Sequence, residues 1–190
     1  MLHNKYEAVL SEFLRGYFGE IYGSGLVGKV GLSQKAIALT LIELEREGIL
    51  VSKSSGNRKY YSLNFSNPLI EDYIVLFENS RKVLFLKKNK KIIDFSREVG
   101  GDVVAVFGSY AKGKNVSGSD LDLLVVGKVD GLGVKKMGRK YGYDVQVFNL
   151  SLANFRKGVG SNLVLKKCLG DHVLIKGERL FVKEVLKWEK

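Results

Sequence analysis

Residues 103–126 read VVAVFGSYAKGKNVSGSDLDLLVV, and we expect the fold to be built around them. The first five residues are apolar and mostly β-branched, which predicts a short buried strand that ends at Gly108-Ser109. After a polar Ser/Gly turn, residues 120–126 return to apolar sequence and predict a second strand. Because side chains alternate along a strand, Asp120 and Asp122 are expected on one face, opposite to Leu121 and Leu123.

The Gly-Ser turn between the two strands has the features of a phosphate-binding turn. Gly108 permits a tight turn and lets a phosphate approach the backbone closely. Ser109 stands where a helix is expected to begin, so its hydroxyl and the first free N–H groups can bind an anion. Lys112 follows closely in the sequence. We therefore predict that Gly108, Ser109 and Lys112 bind a nucleotide.

The pair Asp120 and Asp122 indicates a metal site. Two carboxylates at positions i and i+2 of a strand repel each other, and burial raises the cost of their charges. A divalent cation removes this conflict, and Mg²⁺ is commonly bound by one or two carboxylates together with substrate phosphates. The sequence therefore predicts Mg²⁺, or Mn²⁺, at this pair. The alternative is a solvated strand end with an incidental Asp-Leu-Asp.

These residues carry a family resemblance. Gly108-Ser109, the following Tyr110-Ala111-Lys112-Gly113, and the run Ser119-Asp120-Leu121-Asp122-Leu123 resemble the signature of the nucleotidyltransferase superfamily that includes DNA polymerase beta. The spacing resembles that of the minimal nucleotidyltransferases: Gly-Ser, ten residues, Asp-x-Asp. The family usually has Arg where this chain has Lys112, which weakens a bidentate phosphate contact there. The resemblance extends from about Gly101 to the C-terminus.

The resemblance also implies a third carboxylate. Residues 143–148 alternate between apolar and polar side chains and predict a strand, with Asp144 at its start, where the superfamily carries its third acidic residue. The implied chemistry is transfer of a nucleoside monophosphate from an NTP to an acceptor hydroxyl, with Asp120, Asp122 and Asp144 as catalytic and metal-binding residues. The alternative for Asp144 is a capping or surface residue.

The N-terminal segment has the element order of a different kind of domain. Its pattern predicts a helix over residues 5–18, a short helix closed by Gly31, a helix from an N-cap at Ser33 to Glu47, and a hairpin over residues 49–63. The stretch over residues 31–64 resembles winged helix-turn-helix domains of prokaryotic transcription regulators. In such domains one helix enters the major groove and the wing contacts phosphates.

The winged-helix resemblance gives two sets of candidate DNA contacts. The base-facing candidates lie on the third helix and the phosphate-facing candidates on the wing: Ser33, Gln34, Lys35 and Thr40, and Lys53, Arg58 and Lys59, respectively. However, Ala38 and Leu39 occupy the middle of the helix, where relatives commonly have polar or basic residues. An apolar helix face suits a protein partner better than DNA, so docking to a protein or dimerisation is the alternative.

We predict an α+β chain of three parts. These are a winged helix-turn-helix domain (residues 1–67), an amphipathic helical connector (68–100) and a nucleotidyltransferase domain with a mixed β-sheet flanked by helices (101–190). Pro68 marks the first boundary because proline is favoured in the first turn of a helix. The amphipathic connector is also a candidate homodimer surface.

Charge and cysteine content limit the partners and the compartment. The net charge is +11, and residues 101–190 hold 16 basic against 9 acidic side chains. This excess favours a nucleotide, a nucleic acid or an acidic partner, with lysine-rich solubilisation as the alternative. The single cysteine, Cys168, excludes an intramolecular disulfide. With no signal peptide or membrane-spanning run in the sequence, we expect a cytoplasmic protein without a membrane partner.

Two functions remain open from the sequence. The first is a nucleotidyltransferase that moves AMP from ATP onto a hydroxyl of a protein or nucleic acid. By resemblance, compact relatives act as antitoxins that modify a HEPN ribonuclease toxin. The second is a winged-helix DNA-binding transcription regulator whose transferase-like domain senses a nucleotide without turnover.

Overall fold

The computed structural model describes residues 4–160 and 162–188, and its contacts divide the chain into two compact units, Met1–Phe77 and Glu78–Lys190. The division falls inside the helix Ile70–Lys88. The stretch predicted as a connector is therefore shared between the two units. The helices and sheets of both units confirm the predicted α+β class.

The first unit combines helices with a small antiparallel sheet. Its elements are α1 (Asn4–Phe13), β1 (Ile21–Tyr22), a short 3-10 helix (Gly23–Leu26), α2 (Gln34–Arg46), β2 (Leu50–Ser55) and β3 (Arg58–Leu63), followed by the start of α3 (Ile70–Lys88). The sheet order is β1-β3-β2. Strands β2 and β3 form the predicted hairpin, with Ser55 opposite Arg58. Helix α1 packs against α2 through buried side chains such as Phe13 and Leu41.

Two predictions about these helices had different outcomes. The N-cap at Ser33 is confirmed, since its Oγ accepts a hydrogen bond of 3.2 Å from the backbone N–H of Ala36. The predicted extension of the first helix to Phe18 is wrong, because α1 ends at Phe13. The backbone turns to positive φ at Gly16 (94°) and Tyr17 (57°), which a right-handed helix does not allow.

The second unit is built on a four-stranded mixed sheet with helices on both faces. After α3 its elements are α4 (Lys90–Glu98), β4 (Val103–Phe107), α5 (Gly108–Ala111), β5 (Leu121–Val126), α6 (Gly131–Lys140), β6 (Val145–Leu150), α7 (Leu152–Arg156), α8 (Leu163–Gly170), β7 (His172–Lys176) and α9 (Glu178–Val185). The strand order is β6-β5-β4-β7. Strands β5 and β6 are parallel and joined through α6, whereas the other neighbours are antiparallel.

The two faces of this sheet bury different sets of side chains. One face packs Leu121 and Leu123 of β5 in a cluster with Ile92 and Phe95 of α4. On the other face, Phe181 of α9 contacts the rings of His172 and Phe155 at 5.0 and 5.5 Å between centroids. The alternation predicted for residues 120–126 therefore separates an apolar face from the face that carries Asp122.

Several element boundaries differ from the sequence-based expectation. Strand β6 begins at Val145, so Asp144 immediately precedes it. Helix α7 ends at Arg156, and Gly158, two residues later, takes a positive φ of 80°. In the described residues, no helix has both the length and the apolar composition that a membrane span requires.

Candidate active site

The turn after β4 and the start of β5 meet at Gly108 and Asp122. Asp122 lies opposite Phe107 in the β4–β5 register, so its side chain is adjacent to the residue that follows. A Cβ added to Gly108 would lie 2.2 Å from Oδ2 of Asp122, and Gly108 has a φ of 71°. Both the close approach and the left-handed backbone require glycine here. The turn therefore brings its backbone directly against the Asp122 carboxylate.

Asp120 and Asp122 form a pair of carboxylates of unequal exposure. Asp120 is exposed, whereas Asp122 is half-buried at the start of β5. Burial raises the pKa of Asp122, and the negative charge of Asp120 adds to this rise, while the positive charge of Lys167 opposes it. The site thus holds a carboxylate whose charged form is destabilised until a cation approaches.

Asp144 precedes β6 at the end of the sheet where Asp120 precedes β5. Its backbone carbonyl accepts a hydrogen bond of 2.7 Å from the N–H of Leu121. In the parallel register Leu121 lies beside Val145, so the preceding residues, Asp120 and Asp144, are neighbours just before the starts of β5 and β6. Nevertheless, no three acidic, histidine or cysteine side chains in residues 4–160 and 162–188 are grouped closely enough to hold one metal ion. The three-carboxylate metal site stays a prediction with respect to Asp144.

Ser109 and Lys112 occupy the single turn of α5 and its end. The helix expected at Ser109 is present, and it begins one residue earlier, at Gly108; Phe107 takes the N-cap position without a side-chain hydrogen bond. The Ser109 carbonyl accepts a hydrogen bond of 2.9 Å from the N–H of Lys114, which closes the turn. Lys112 Nζ lies 3.2 Å from Oδ2 of Asp171, with 44% of the Lys112 side chain still exposed.

Comparison with known protein families adds to this geometry. The family model described as the nucleotidyltransferase domain matches residues 86–184. The chain belongs to this nucleotidyltransferase domain family. The match includes the Gly108-Ser109 turn and all three carboxylates, and it begins within α3 and ends within α9.

Comparisons with individual proteins were less informative. No curated protein matched this nucleotidyltransferase significantly. A solved structure, described as a crystal structure of the toxin-antitoxin with AMP-PNP, is 18% identical over 53% of this chain and 85% of the other, with a TM-score of 0.36. This similarity is too low to establish a shared fold.

The site of this nucleotidyltransferase has donors that suit a hard divalent cation. Asp120 and Asp122 supply carboxylate oxygens, and burial raises the pKa of Asp122, so a neighbouring cation would favour its charged form. Mg²⁺ usually keeps several waters and needs only one or two carboxylates when substrate phosphates complete its coordination. The residues present therefore fit Mg²⁺ or Mn²⁺ bound together with a nucleotide.

Two residues near the site were missed by sequence reasoning. Lys167 of α8 acts electrostatically on Asp122, and Asp171 forms the ion pair with Lys112. Both lie more than forty positions from their partners in the sequence, so no local spacing could have indicated them.

The residues predicted to face DNA bases differ in their exposure and hydrogen bonding within the first unit. Gln34 and Lys35 are exposed at the start of α2, whereas Ser33 uses its hydroxyl as the N-cap. The prediction for Thr40 is corrected, because this residue is 1% exposed and its Oγ1 donates a 2.8 Å hydrogen bond to the Ala36 carbonyl. A buried hydroxyl that is already bonded within its own helix cannot contact a base edge.

The predicted wing cations are largely engaged within the protein. Lys53 Nζ lies 2.6 Å from a Glu20 carboxylate oxygen, and Lys59 Nζ lies 2.7 Å from one of Glu45. The Arg58 guanidinium lies over the Tyr22 ring, 5.0 Å from its centroid. Their attraction for DNA phosphates is therefore partly offset by nearby carboxylates and aromatic contacts.

The outer face of α2 is apolar. Leu39 is 51% exposed and Ile42 is 53% exposed, and Ala38 lies exposed beside them. Exposed apolar side chains grouped on one helix are typical of protein contacts rather than of base readout.

Proposed function

We propose that the chain is a metal-dependent nucleotidyltransferase that moves a nucleoside monophosphate, AMP from ATP as the first candidate, onto a hydroxyl of a partner. A HEPN-type toxin is the first candidate partner, following the family resemblance of the sequence, and a nucleic acid is the second. The observation that carries the proposal is the contact between the Gly108 turn and Asp122 in a member of the nucleotidyltransferase domain family.

Asp120 and Asp122 would hold the divalent cation, which would neutralise negative charge as the nucleotide binds and reacts. The half-buried position of Asp122 supports this role, because a carboxylate with a raised pKa gains more from a neighbouring cation than a solvated one does. Asp120, which is exposed, is accessible from solvent to the same ligand.

The Gly108 turn positions the phosphates. With no Cβ at Gly108, a phosphate can approach the backbone N–H groups beside the Asp122 carboxylate. Ser109 adds a hydroxyl donor, and Lys112 adds a positive charge if it exchanges Asp171 for a phosphate oxygen. Such a site acts mainly by positioning the reactants and neutralising charge, so it needs few other side chains.

Asp144 prepares the acceptor. Its place next to Asp120, just before the start of β6, supports a role as the base that takes the proton of the acceptor hydroxyl. The acceptor oxygen then forms a bond to the α-phosphorus, the bond from that phosphorus to its bridging oxygen breaks, and pyrophosphate leaves.

The first unit is, in this proposal, a winged helix that contacts the acceptor protein rather than DNA. The exposed Leu39 and Ile42 on α2 and the ion pairs of Lys53 and Lys59 support a protein contact. The helix-and-hairpin order of the unit supports the winged-helix assignment.

A labelling experiment tests the reaction. The protein is incubated with Mg²⁺, ATP labelled at either the α- or the γ-phosphate, and candidate acceptors that include the products of neighbouring genes and tRNA. We expect label in the acceptor from α-labelled ATP only, and none with the Asp120→Asn/Asp122→Asn variant. Transfer of γ-label would indicate phosphoryl transfer instead. No transfer to any acceptor, together with salt-sensitive binding to a defined DNA duplex, would favour the regulator.

A further inference from the structure

The second unit contains a cavity that is separate from the carboxylates. Its volume is about 430 Å³, within the range typical of small-molecule sites. It lies between the C-terminal half of α3, the end of α5 with the segment that follows it, and Val173 of β7. The residues that matter for its chemistry are Arg81, Phe85, Lys88, Asn89, Tyr110 and Lys112.

The cavity lies on the sheet face opposite to Asp122. Val173, which lines the cavity, is paired with Val106, whereas Asp122 is paired with Phe107. Since Val106 and Phe107 are consecutive in β4, their side chains point to opposite faces. Val106 and Val173 also share an apolar cluster with Leu121 and Leu123, the residues of β5 on either side of Asp122, whose side chains point to the face opposite to it. A ligand in the cavity therefore does not occupy the site of the carboxylate pair.

The charges around the cavity favour a ligand with one phosphate. Arg81 is fixed by a 2.6 Å hydrogen bond to the His172 carbonyl and by an ion pair of 3.3 Å with the buried Glu78. Lys112 is paired with Asp171. Within the described ranges Lys88 forms no ion pair with a carboxylate. Three cations against two carboxylates leave one positive charge at the cavity, which suits a singly or doubly charged anion better than a triphosphate.

The remaining lining favours a planar aromatic group. Phe85 and Tyr110 supply aromatic walls, and the Tyr110 ring is held by an edge contact with Tyr143 at 5.9 Å between centroids. Aromatic side chains stack on any base. The Nδ2 of Asn89 donates a 2.9 Å hydrogen bond to the Phe85 carbonyl, and its Oδ1 can accept a hydrogen bond from a base edge. A phosphate and a base together make a nucleotide.

We propose that this cavity binds a nucleoside monophosphate, with its phosphate at Lys88 and Arg81 and its base against Phe85 and Tyr110. The site goes beyond the proposed transfer reaction, because its ligand is bound intact on the other face of the sheet. Binding there requires neither Mg²⁺ nor the carboxylates. The proposal can therefore fail or hold independently of the proposed activity.

Calorimetric titration with AMP tests the site. The protein carries Asp120→Asn/Asp122→Asn and no Mg²⁺ is present, so neither turnover nor the metal site contributes. Lys88→Glu is compared with Lys87→Glu, which makes the same change of charge one residue away, where Lys87 lines a different groove. Adenosine and inorganic phosphate are titrated as partial ligands.

We expect AMP to bind at one site per chain, about tenfold more weakly to Lys88→Glu and within about twofold of the parent affinity for Lys87→Glu, since Lys88 lines the cavity and Lys87 does not. Adenosine and phosphate alone should each bind more weakly than AMP. Equal effects of the two charge reversals, binding of adenosine as tight as that of AMP, or no saturable binding of AMP would each overturn the proposal.

Discussion

The Cα of Gly108 faces the carboxylate of Asp122 so closely that a Cβ at this position would lie 2.2 Å from Oδ2 of Asp122. This contact joins the turn proposed to bind phosphates to the carboxylate proposed to bind the cation. Any side chain at residue 108 would displace one or the other. Substitution of Gly108 by alanine, which adds one methyl group, therefore tests both parts of the site.

Gly108→Ala should lower the rate of transfer by moving Asp122 or the turn. Gly118→Ala is the matched control, because Gly118 also has a positive φ, 84°, but nothing within 4 Å of an added Cβ. Both variants bear the strain of a left-handed alanine, about 1 kcal/mol. We expect the control to keep activity within about twofold and Gly108→Ala to lose at least about tenfold. Equal activities in a transfer assay would contradict the role of this contact.

Asp122→Asn should remove activity and yet stabilise the protein at neutral pH. Burial raises the pKa of Asp122 above its unfolded value, so the folded state binds the proton more tightly. Stability from this group is therefore lost as pH rises from the unfolded pKa, about 3.9, through the folded one.

Asparagine does not ionise, so the Asp122→Asn variant does not lose this stability as the pH rises. Because Asp122 is only half-buried, we expect a gain at pH 7 of at most about 1 kcal/mol, and no gain below about pH 3. Thermal unfolding at both pH values measures the difference. A variant less stable than the parent at pH 7, or a gain that does not depend on pH, would contradict the unfavourable burial of this charge.

Asp144→Asn should lower the rate of transfer without weakening nucleotide binding. A positioned base contributes about 10²- to 10⁴-fold, so a loss of at least about 100-fold in kcat is expected, with ATP affinity within about twofold of the parent. Asp94→Asn, an exposed change on α4, serves as the control and should leave both unchanged. Parallel loss of affinity and rate would indicate that Asp144 holds the metal instead of serving as the base.

Ser33→Ala should destabilise the first unit. The Ser33 hydroxyl accepts the Ala36 N–H at the start of α2, and loss of such a cap costs about 1 kcal/mol. Ser33→Asn should restore most of the stability, because asparagine also caps helices well. Chemical denaturation followed by circular dichroism measures both. Equal stabilities of the alanine variant and the parent would show that the cap contributes nothing.

The sequence was most informative where a local pattern determines the structure. The strands around residues 103–126 and the N-cap at Ser33 follow from short apolar runs and from capping chemistry, and the structure has them. Helix α1 was predicted too long because apolar spacing continues to Phe18, whereas the backbone leaves the helix at Gly16. The spacing of apolar residues indicates which side chains can be buried, but it does not show where the backbone changes to positive φ and the helix ends.

Relationships between distant residues could not be predicted. The position of Gly108 against Asp122 depends on the β4–β5 register, and the ion pair of Lys112 with Asp171 depends on the place of β7 beside β4. The burial of Thr40 likewise results from packing of α2 within its unit, since threonine is compatible with either a surface or an interior position. In each case the tertiary structure fixes what the local sequence leaves open.

The central claim is that Asp120 and Asp122 bind a nucleoside triphosphate through a divalent cation at the Gly108 turn. Calorimetric titration with a non-hydrolysable ATP analogue, with and without Mg²⁺, tests it without knowledge of the acceptor. We predict binding by the parent protein that strengthens at least about tenfold with Mg²⁺, and no such Mg²⁺ effect in Asp120→Asn/Asp122→Asn. The same affinity and the same Mg²⁺ dependence in both proteins would contradict the claim.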